Sequence, residues 1–191
     1  MTVTEIPQAG DRILSVRLAQ TQDDVLAAQQ LRWHVFCAER GAAVEGDATG
    51  LDADPFDPVC DHLLVEDAAS GAPVVVGTYR LLRESIARRH GGFYTAGEYA
   101  IDRLSSRPNI PGELLELGRS CVAPAYRDAG TIQLLWRGIA SYLELHRIST
   151  MFGCASFHGV DPDEHADALS YLYHNHLAPQ ALRASALPER H

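Results

Sequence analysis

Lysine is absent from the 191-residue chain, and so are long apolar runs. All 16 basic residues are arginine, and 25 acidic residues outnumber them, which gives a net charge of −9. This balance argues against general nucleic-acid binding, because such proteins turn a surplus of positive charge toward the phosphates. No run approaches the roughly 20 apolar residues of a membrane-spanning helix, and the N-terminal MTVTEIPQAGDR does not resemble a secretory signal. We therefore expect a cytoplasmic protein that does not bind nucleic acid.

Cysteine is scarce, and no two cysteines form a C-x-x-C pair. The four are Cys37, Cys60, Cys121 and Cys154. In a cytoplasmic protein such isolated cysteines are mostly reduced, buried and apolar in behaviour, although a catalytic thiol at Cys121 stays an alternative. The nine histidines show no spacing typical of metal ligands, since His174 and His176 would point apart on a helix. The sequence thus predicts no metal site.

The remaining composition is that of a globular protein, with 46% hydrophobic residues and enough length for one sizeable core. Alternating apolar residues predict strands, and apolar residues three and four apart predict helices. The strands are predicted at 13–18, 60–66, 73–82, 114–122 and 150–157. The helices are predicted at 25–40, 84–90, 131–147 and 163–176. This order predicts a mixed α/β fold in a single domain over 1–191, with a core at 13–180 and an irregular tail at 181–191.

The stretch 114–147 contains a strand, a glycine loop and a helix start. Pro124 ends the strand because proline cannot donate to a sheet ladder. The loop runs from Arg127 to Gly130, and Thr131 opens the helical pattern. A helix N-terminus after such a loop directs backbone N–H groups and a positive dipole end at one place, which suits a phosphate. The alternative is an ordinary helix cap.

Glu116 lies in an apolar strand, between Leu115 and Leu117. A carboxylate removed from water there would suit a general base. The alternative is a buried structural partner of Arg119 or Arg80. Glu116 and Arg119 are three residues apart, so a regular strand would point them to opposite faces. They can share one site only if the strand bulges between them, and Gly118 is where a bulge could occur.

Five short motifs occur in order along the chain: Arg32-x-x-x-Phe36, Asp54-Pro55-Phe56-Asp57, Arg80 after Gly77-Thr78, Glu116-Leu117-Gly118-Arg119 and the Arg127-x-x-Gly130 loop. Together they resemble the acyl-carrier-protein-dependent branch of the GNAT superfamily of N-acetyltransferases. The phrases DPFDPVCDHLLV, VVGTYRLL, FYTAGEY and ELGRSCVAPAYR resemble ornithine N-acyltransferases more specifically than acyl-homoserine-lactone synthases. The likeness covers about residues 13–180. It implies a three-layer GNAT fold around a central, mostly antiparallel sheet that is splayed between its fourth and fifth strands.

The resemblance implies an enzyme that moves a 3-hydroxyacyl chain from acyl carrier protein to the α-amine of L-ornithine. The donor would be the carrier's acyl-phosphopantetheine rather than a coenzyme A thioester, with no permanently bound cofactor. The lipid product would bring the enzyme to the inner face of the membrane. The alternatives are an acyl-homoserine-lactone synthase, a coenzyme-A-dependent acetyltransferase of small amines, and a catalytically silent acyl-carrier or lipid-binding module.

The resemblance also implies roles for individual residues. Catalysis falls to Glu116, as the base, and Arg119. An amino acid with a cationic side chain needs carboxylates for its ammonium groups and arginine for its carboxylate. The substrate residues are Arg32, Phe36, Asp54, Asp57 and Arg80. The donor residues are Val122, Arg127, Gly130 and Thr131. The alternative for the aspartates is a solvated loop.

The acidic chain would need a local basic patch to attract an acidic carrier protein. We predict that at least three arginines of one set lie together at the pantetheine entrance. The set is Arg83, Arg88, Arg89, Arg103, Arg107, Arg127 and Arg137.

Overall fold

A mixed β-sheet is the centre of the structure, a computed structural model that describes residues 2–7, 12–41, 49–107, 110–157, 159 and 161–190. Its strands are β1 (Thr2–Pro7), β2 (Ile13–Leu18), β3 (Asp61–Asp67), β4 (Val74–Arg83), β6 (Glu113–Val122) and β7 (Ile148–Phe152). They follow the order β1-β2-β3-β4-β6-β7, antiparallel from β1 to β6, with β7 parallel to β6. The short strands β5 (Tyr99–Ala100) and β8 (Ser185–Ala186) form a separate ribbon. The predicted mixed, mostly antiparallel sheet is confirmed.

Helices cover both faces of this sheet. They are α1 (Gln22–Trp33), α2 (Glu84–Ala87), α3 (Asp102–Ser105), α4 (Ala129–His146) and α5 (Ala166–His176). The α1 helix starts with a capping box, in which the side chains of Thr21 and Asp24 bond each other's backbone N–H. It continues as a π-helical segment, His34–Glu39. None of the helices in the described ranges has the length and apolar character to cross a membrane.

Apolar side chains pack helices against both faces of the sheet, which gives the three layers of the fold. The face of the sheet that includes Val76 packs against α4 through buried residues such as Leu134 and Ile139. Gly138 permits the close approach, because a Cβ there would lie 2.8 Å from Val16 Cγ2. On the other face, a smaller cluster joins α1 to Cys121 and Val75.

The sheet opens where β6 and β7 part. Their pairing ends at Glu116 opposite Phe152, although β6 continues to Val122. Gly153 follows at once, and a Cβ there would lie only 2.2 Å from the Leu117 carbonyl oxygen. The predicted splay is therefore present. The predicted fifth strand was too long, since the chain leaves β6 at Gly153 instead of running on to 157.

A bulge interrupts β6 opposite β4. Arg80 pairs with Gly118 and Thr78 with Cys121, so Arg119 and Ser120 together oppose a single residue. Arg119 has φ +51, a left-handed backbone that is uncommon outside glycine. This bulge lies one residue beyond Gly118, where the sequence suggested it could occur. It allows Arg119 and Glu116 to face one cleft.

Several predicted boundaries were less accurate. The helix predicted at 84–90 is only the four residues of α2, before Gly91 and Gly92 at positive φ. The helix predicted from Thr131 begins at Ala129, because Asp128 caps it. The tail predicted to be irregular contains β8. The sequence at 46–58, rich in Asp and Pro, predicts a loop, and its residues 46–48 lie outside the described residues.

Candidate active site

A cavity of about 760 Å³ lies at the fork between β6 and β7. Its walls come from β4, β6, residues 94–98, the end of β7 with the chain that follows it, and the π-helical segment after α1 together with Arg40. Its lining includes the apolar side chains of Leu82, Leu117, Met151, Phe152 and Phe157. It also includes the charged side chains of Arg40, Arg80, Glu98, Glu116 and Arg119. The cavity can therefore contact both the apolar and the charged groups of a ligand.

Glu116 is held in this cleft by the turn that follows Phe93. Its side chain accepts hydrogen bonds from the backbone N–H groups of Tyr94 (2.9 Å) and Thr95 (2.7 Å), and from the Thr95 hydroxyl. The residue is only 5% exposed. A purely structural role predicted that Glu116 would pair with Arg80 or Arg119. Within the described part of the chain, Glu116 instead bonds Tyr94 and Thr95. Glu116 is thus a fixed carboxylate on the cleft wall.

A buried network of ion pairs stands behind the cleft. It joins Arg32, Arg80 and Arg119 to Asp52, Asp54 and Asp57. Arg32 is 1% exposed, and it donates to Asp52 Oδ2 at 2.9 Å and to Asp57 Oδ2 at 2.7 Å. Asp57 also accepts from Gln29 at 2.9 Å and from Arg80 at 3.1 Å. Burial would raise the pKa of Asp57, but these donors, Arg32 foremost, lower it to about 2.

Arg80 and Arg119 form the side of the network that faces the cleft. Arg80 Nη1 lies 2.6 Å from Asp54 Oδ1, and Arg119 Nη2 lies 3.2 Å from Asp54 Oδ2. Burial would raise the pKa of Asp54, but Arg80 holds it below its usual value. Both guanidinium groups also lie over the Tyr94 ring, at 5.6 and 5.5 Å from its centroid. Because a guanidinium has five N–H donors, this pair can hold Asp54 and still receive a ligand carboxylate.

Some of the predicted substrate residues line the cleft, and others lie buried behind it. Phe36 and Arg80 line the cleft, together with Glu116 and Arg119. Arg32 and Asp57 are buried behind it and bond to each other. Asp54 links the two cleft arginines.

The predicted donor residues are engaged within the fold. The Arg127 guanidinium makes a two-pronged ion pair with Glu39, at 2.7 and 2.6 Å, and its Nε donates to the Val122 carbonyl. The Thr131 N–H donates to the Asp128 carboxylate at 2.9 Å, and Gly130 lies between these two residues in the first turn of α4. A donor phosphate would have to compete for these groups.

Some cleft residues were not anticipated from the sequence. Tyr94, Thr95 and Glu98 lie in a region with no clear periodicity, although the phrase FYTAGEY spans most of it. Cys154 Sγ lies 3.5 Å from Thr95 Oγ1 and 3.9 Å from Glu98 Oε2. The sequence phrase FYTAGEY could have identified Tyr94, Thr95 and Glu98, whereas the spacing of apolar residues gives no indication of them.

Two sequence alternatives lose support. Burial raises the pKa of the Cys121 thiol to about 12, which keeps it protonated and unsuited to act as a nucleophile. Arg107 was one of the seven arginines of which at least three were predicted to form a docking patch, but it is 8% exposed and pairs with Glu84 at 2.8 Å. In the described ranges, no group of three or more potential ligand side chains could hold a metal ion.

The forked sheet and its cleft define a class, an α/β domain with an open cleft where two parallel strands part. A family model described as an acetyltransferase (GNAT) domain matches residues 31–137. The chain belongs to this family.

Two curated relatives are similar over nearly all of this chain. The L-ornithine N(alpha)-acyltransferase of Brucella abortus (strain 2308) is 50% identical over 184 residues, which are 93% of this chain and 65% of the relative. The enzyme of the same name from Rhizobium meliloti (strain 1021) is 48% identical over 182 residues, 92% of this chain and 61% of the relative. The chain therefore spans less than two thirds of the length of either relative.

A solved structure supports the fold. The crystal structure of the AHL synthase LasI aligns with a TM-score of 0.51 and 17% sequence identity, over 73% of this chain and 71% of that one. At this identity the likeness concerns the fold alone.

Proposed function

We propose that this chain is an N-acyltransferase that moves an acyl group from a phosphopantetheine thioester to the α-amine of L-ornithine. The observation that carries the proposal is its 48–50% identity, over more than nine tenths of its length, to relatives named for that activity. The cleft supports it physically, because its lining combines apolar side chains with the carboxylate of Glu116 and the guanidinium groups of Arg80 and Arg119.

The acceptor would bind as a zwitterion at the charged side chains of the cleft. Its α-carboxylate would meet Arg80 and Arg119, which Asp54 and the Tyr94 ring hold side by side. Arginine is suited to this role, because its planar donors match the geometry of a carboxylate. The α-ammonium group would then face Glu116 in the same cleft.

The amine must lose a proton before it can attack. Glu116 would accept that proton, directly or through a water molecule. The nitrogen then attacks the thioester carbonyl carbon, so that a C–N bond forms and the C–S bond breaks. The second proton of the nitrogen ends on the departing thiolate. The fixed position of Glu116 supports this role, since its three donors come from a single turn.

The donor would lie along the apolar side chains of the cleft, with its thioester at the fork. We propose acyl carrier protein as its source, as the sequence resemblance implies, with coenzyme A as the alternative. The acyl chain would contact Leu117, Met151 and Phe152. The phosphate would reach the cleft end, where Arg40 lines the cavity and the neighbouring Glu39 holds Arg127.

The test is an acyl-transfer assay with two donors and a panel of acceptors. The protein is incubated with acyl-loaded carrier protein or acyl coenzyme A and with free amino acids, and the products are identified by mass spectrometry. We expect N-acylornithine from the carrier-bound donor. Products on other amines alone would contradict the proposed acceptor, and transfer from coenzyme A alone would contradict the proposed donor.

The role of Glu116 is tested by Glu116→Gln, with Glu113→Gln as the matched control. Glu113 lies on the same strand but bonds Ser85 outside the cavity. Glu116→Gln should lower kcat with ornithine by about 100-fold or more, the usual scale for loss of a general base. The control should not. Urea unfolding of both variants separates a lost base from a damaged turn, and an unchanged rate for a folded Glu116→Gln protein would refute the assignment.

A further inference from the structure

We infer that Glu98 recognises the side-chain ammonium group of the acceptor and so gives the cleft its preference for a diamino acid. This inference rests on the proposed function and deepens it. Glu98 ends the turn Tyr94–Gly97 that also supplies the donors to Glu116. It lines the same cavity as Glu116, Arg80 and Arg119.

The two carboxylates that line the cleft differ in burial and in the number of hydrogen bonds they accept from the protein. Glu116 is buried and receives three strong hydrogen bonds. Glu98 is half-buried, and across the described ranges it forms no salt bridge. Among the described residues, the hydrogen-bond donor to its carboxylate is the Cys154 thiol, at 3.9 Å, which is a weak donor. A carboxylate left this way in a cleft is suited to receive a cation from a ligand.

The charges of an ornithine molecule fit this division. Its α-carboxylate and α-ammonium groups would use the two arginines and Glu116. The side-chain ammonium group then needs a second carboxylate, and Glu98 is the one that the rest of the lining supplies. A monoamino acid would leave Glu98 without a partner in a partly desolvated site, which costs binding free energy.

The spacing of the two carboxylates is compatible with one small diamine. They are joined by three consecutive contacts, from Glu116 to the Thr95 hydroxyl, to Cys154 Sγ at 3.5 Å and to Glu98 at 3.9 Å. Four carbons separate the two nitrogens of ornithine. The Glu98 backbone is anchored on both sides, because its N–H donates to Thr95 O and its carbonyl accepts from Leu187 N–H. The carboxylate is therefore carried on a fixed base.

The experiment compares ornithine with norvaline, which has the same carbon skeleton without the side-chain amine. The readout is the ratio of kcat/KM for the two acceptors, with one donor at saturation. We expect wild type to prefer ornithine by about 10- to 100-fold, a range reduced by the solvent exposure of Glu98. Glu98→Gln should remove most of this preference by a loss with ornithine, with norvaline changing by less than about threefold. Glu144→Gln, on the exposed face of α4, is the control and should keep the wild-type ratio.

Glu98→Asp keeps the charge on a shorter side chain and should retain part of the preference, which separates charge from shape. If Glu98→Gln is folded and keeps the wild-type ratio, the inference is wrong while ornithine acylation stands. If wild type acylates norvaline as fast as ornithine, the inference is again wrong and only the α-amine chemistry stands. If wild type acylates neither, the proposed function and the inference fall together. A Glu98→Gln protein that unfolds at a lower urea concentration and loses both acceptors equally would show a structural role and would overturn the inference.

Discussion

Asp57→Asn should destabilise the protein rather than selectively weaken substrate binding. Asp57 is 4% exposed, and its carboxylate bonds Arg32, Arg80 and Gln29. The substitution keeps the shape of the side chain but removes the negative charge between two buried cations. The expected result is a lower free energy of unfolding at pH 7.

The magnitude follows from the pKa of the group. Burial would raise the pKa of Asp57, yet Arg32, Gln29 and Arg80 lower it to about 2, against about 3.9 for an unfolded chain. Each pKa unit corresponds to about 1.4 kcal/mol, so the charge contributes on the order of 2–3 kcal/mol. Removal of one partner from a buried ion pair costs about 3–5 kcal/mol, but asparagine keeps one acceptor. We therefore expect a loss of about 2–4 kcal/mol.

The effect has a defined pH dependence. Because the folded pKa lies below the unfolded value, the Asp57 charge stabilises the folded protein fully above about pH 4. This contribution is lost as the pH falls toward about 2. The difference in stability between wild type and Asp57→Asn should thus be constant from pH 5 to pH 7 and shrink below pH 4.

Urea unfolding followed by tryptophan fluorescence measures this difference. The control is Asp167→Asn, on the exposed surface of α5, which should change stability by less than about 0.5 kcal/mol. If Asp57→Asn were as stable as the wild type at pH 7 and had a raised KM for ornithine, the reasoning would be refuted. It would show that Asp57 meets the acceptor directly, as the sequence resemblance implies.

Two further predictions concern the donor loop and the fork. Glu39→Gln should lower the apparent KM of the acyl donor about threefold or more, because it frees Arg127 from its ion pair, whereas Arg127→Ala should raise it. Donor titrations with Glu144→Gln, on the exposed face of α4, as the matched control check this. A higher KM for Glu39→Gln would contradict the prediction. Gly153→Ala should cost about 1–3 kcal/mol of unfolding free energy and impair acyl transfer, because its Cβ would overlap the Leu117 carbonyl. Urea unfolding of Gly153→Ala measures this loss, with Gly97→Ala as the control because a Cβ at Gly97 would meet nothing within 4 Å. Equal losses of unfolding free energy in the two variants would contradict the prediction.

Local patterns predicted the strands that lie inside the sheet. The alternation at 13–18 matches β2 residue for residue, and the strand predicted at 114–122 differs from β6 only at Glu113. Such strands are determined by the burial of alternate side chains, which a sequence displays directly. The end of β7 could not be predicted this way. It is determined by Gly153 meeting Leu117, a contact between residues distant in the sequence.

The site divides in the same manner. The motif residues Phe36, Arg80, Glu116 and Arg119 do come together in one cleft, and the family resemblance identified them as a set. Nothing in their spacing indicated which aspartates would bond which arginines, since that depends on how loop 49–57 folds over α1. Nor could spacing bring Thr95 beside Cys154, because these residues lie on separate segments that meet only at the fork.

Arg119 shows why the network and the cleft form one unit. Strand alternation would turn it away from Glu116, and a non-glycine residue at positive φ costs conformational energy. Its ion pair with Asp54 and its contact with the Tyr94 ring offset that cost. The network holds three arginines and three aspartates, so it positions the guanidinium groups without giving the cleft a net charge. A ligand carboxylate alone would unbalance it. Under the proposed function a zwitterion would bring its own ammonium group to Glu116. We therefore expect the cleft to favour a whole amino acid over a simple carboxylic acid.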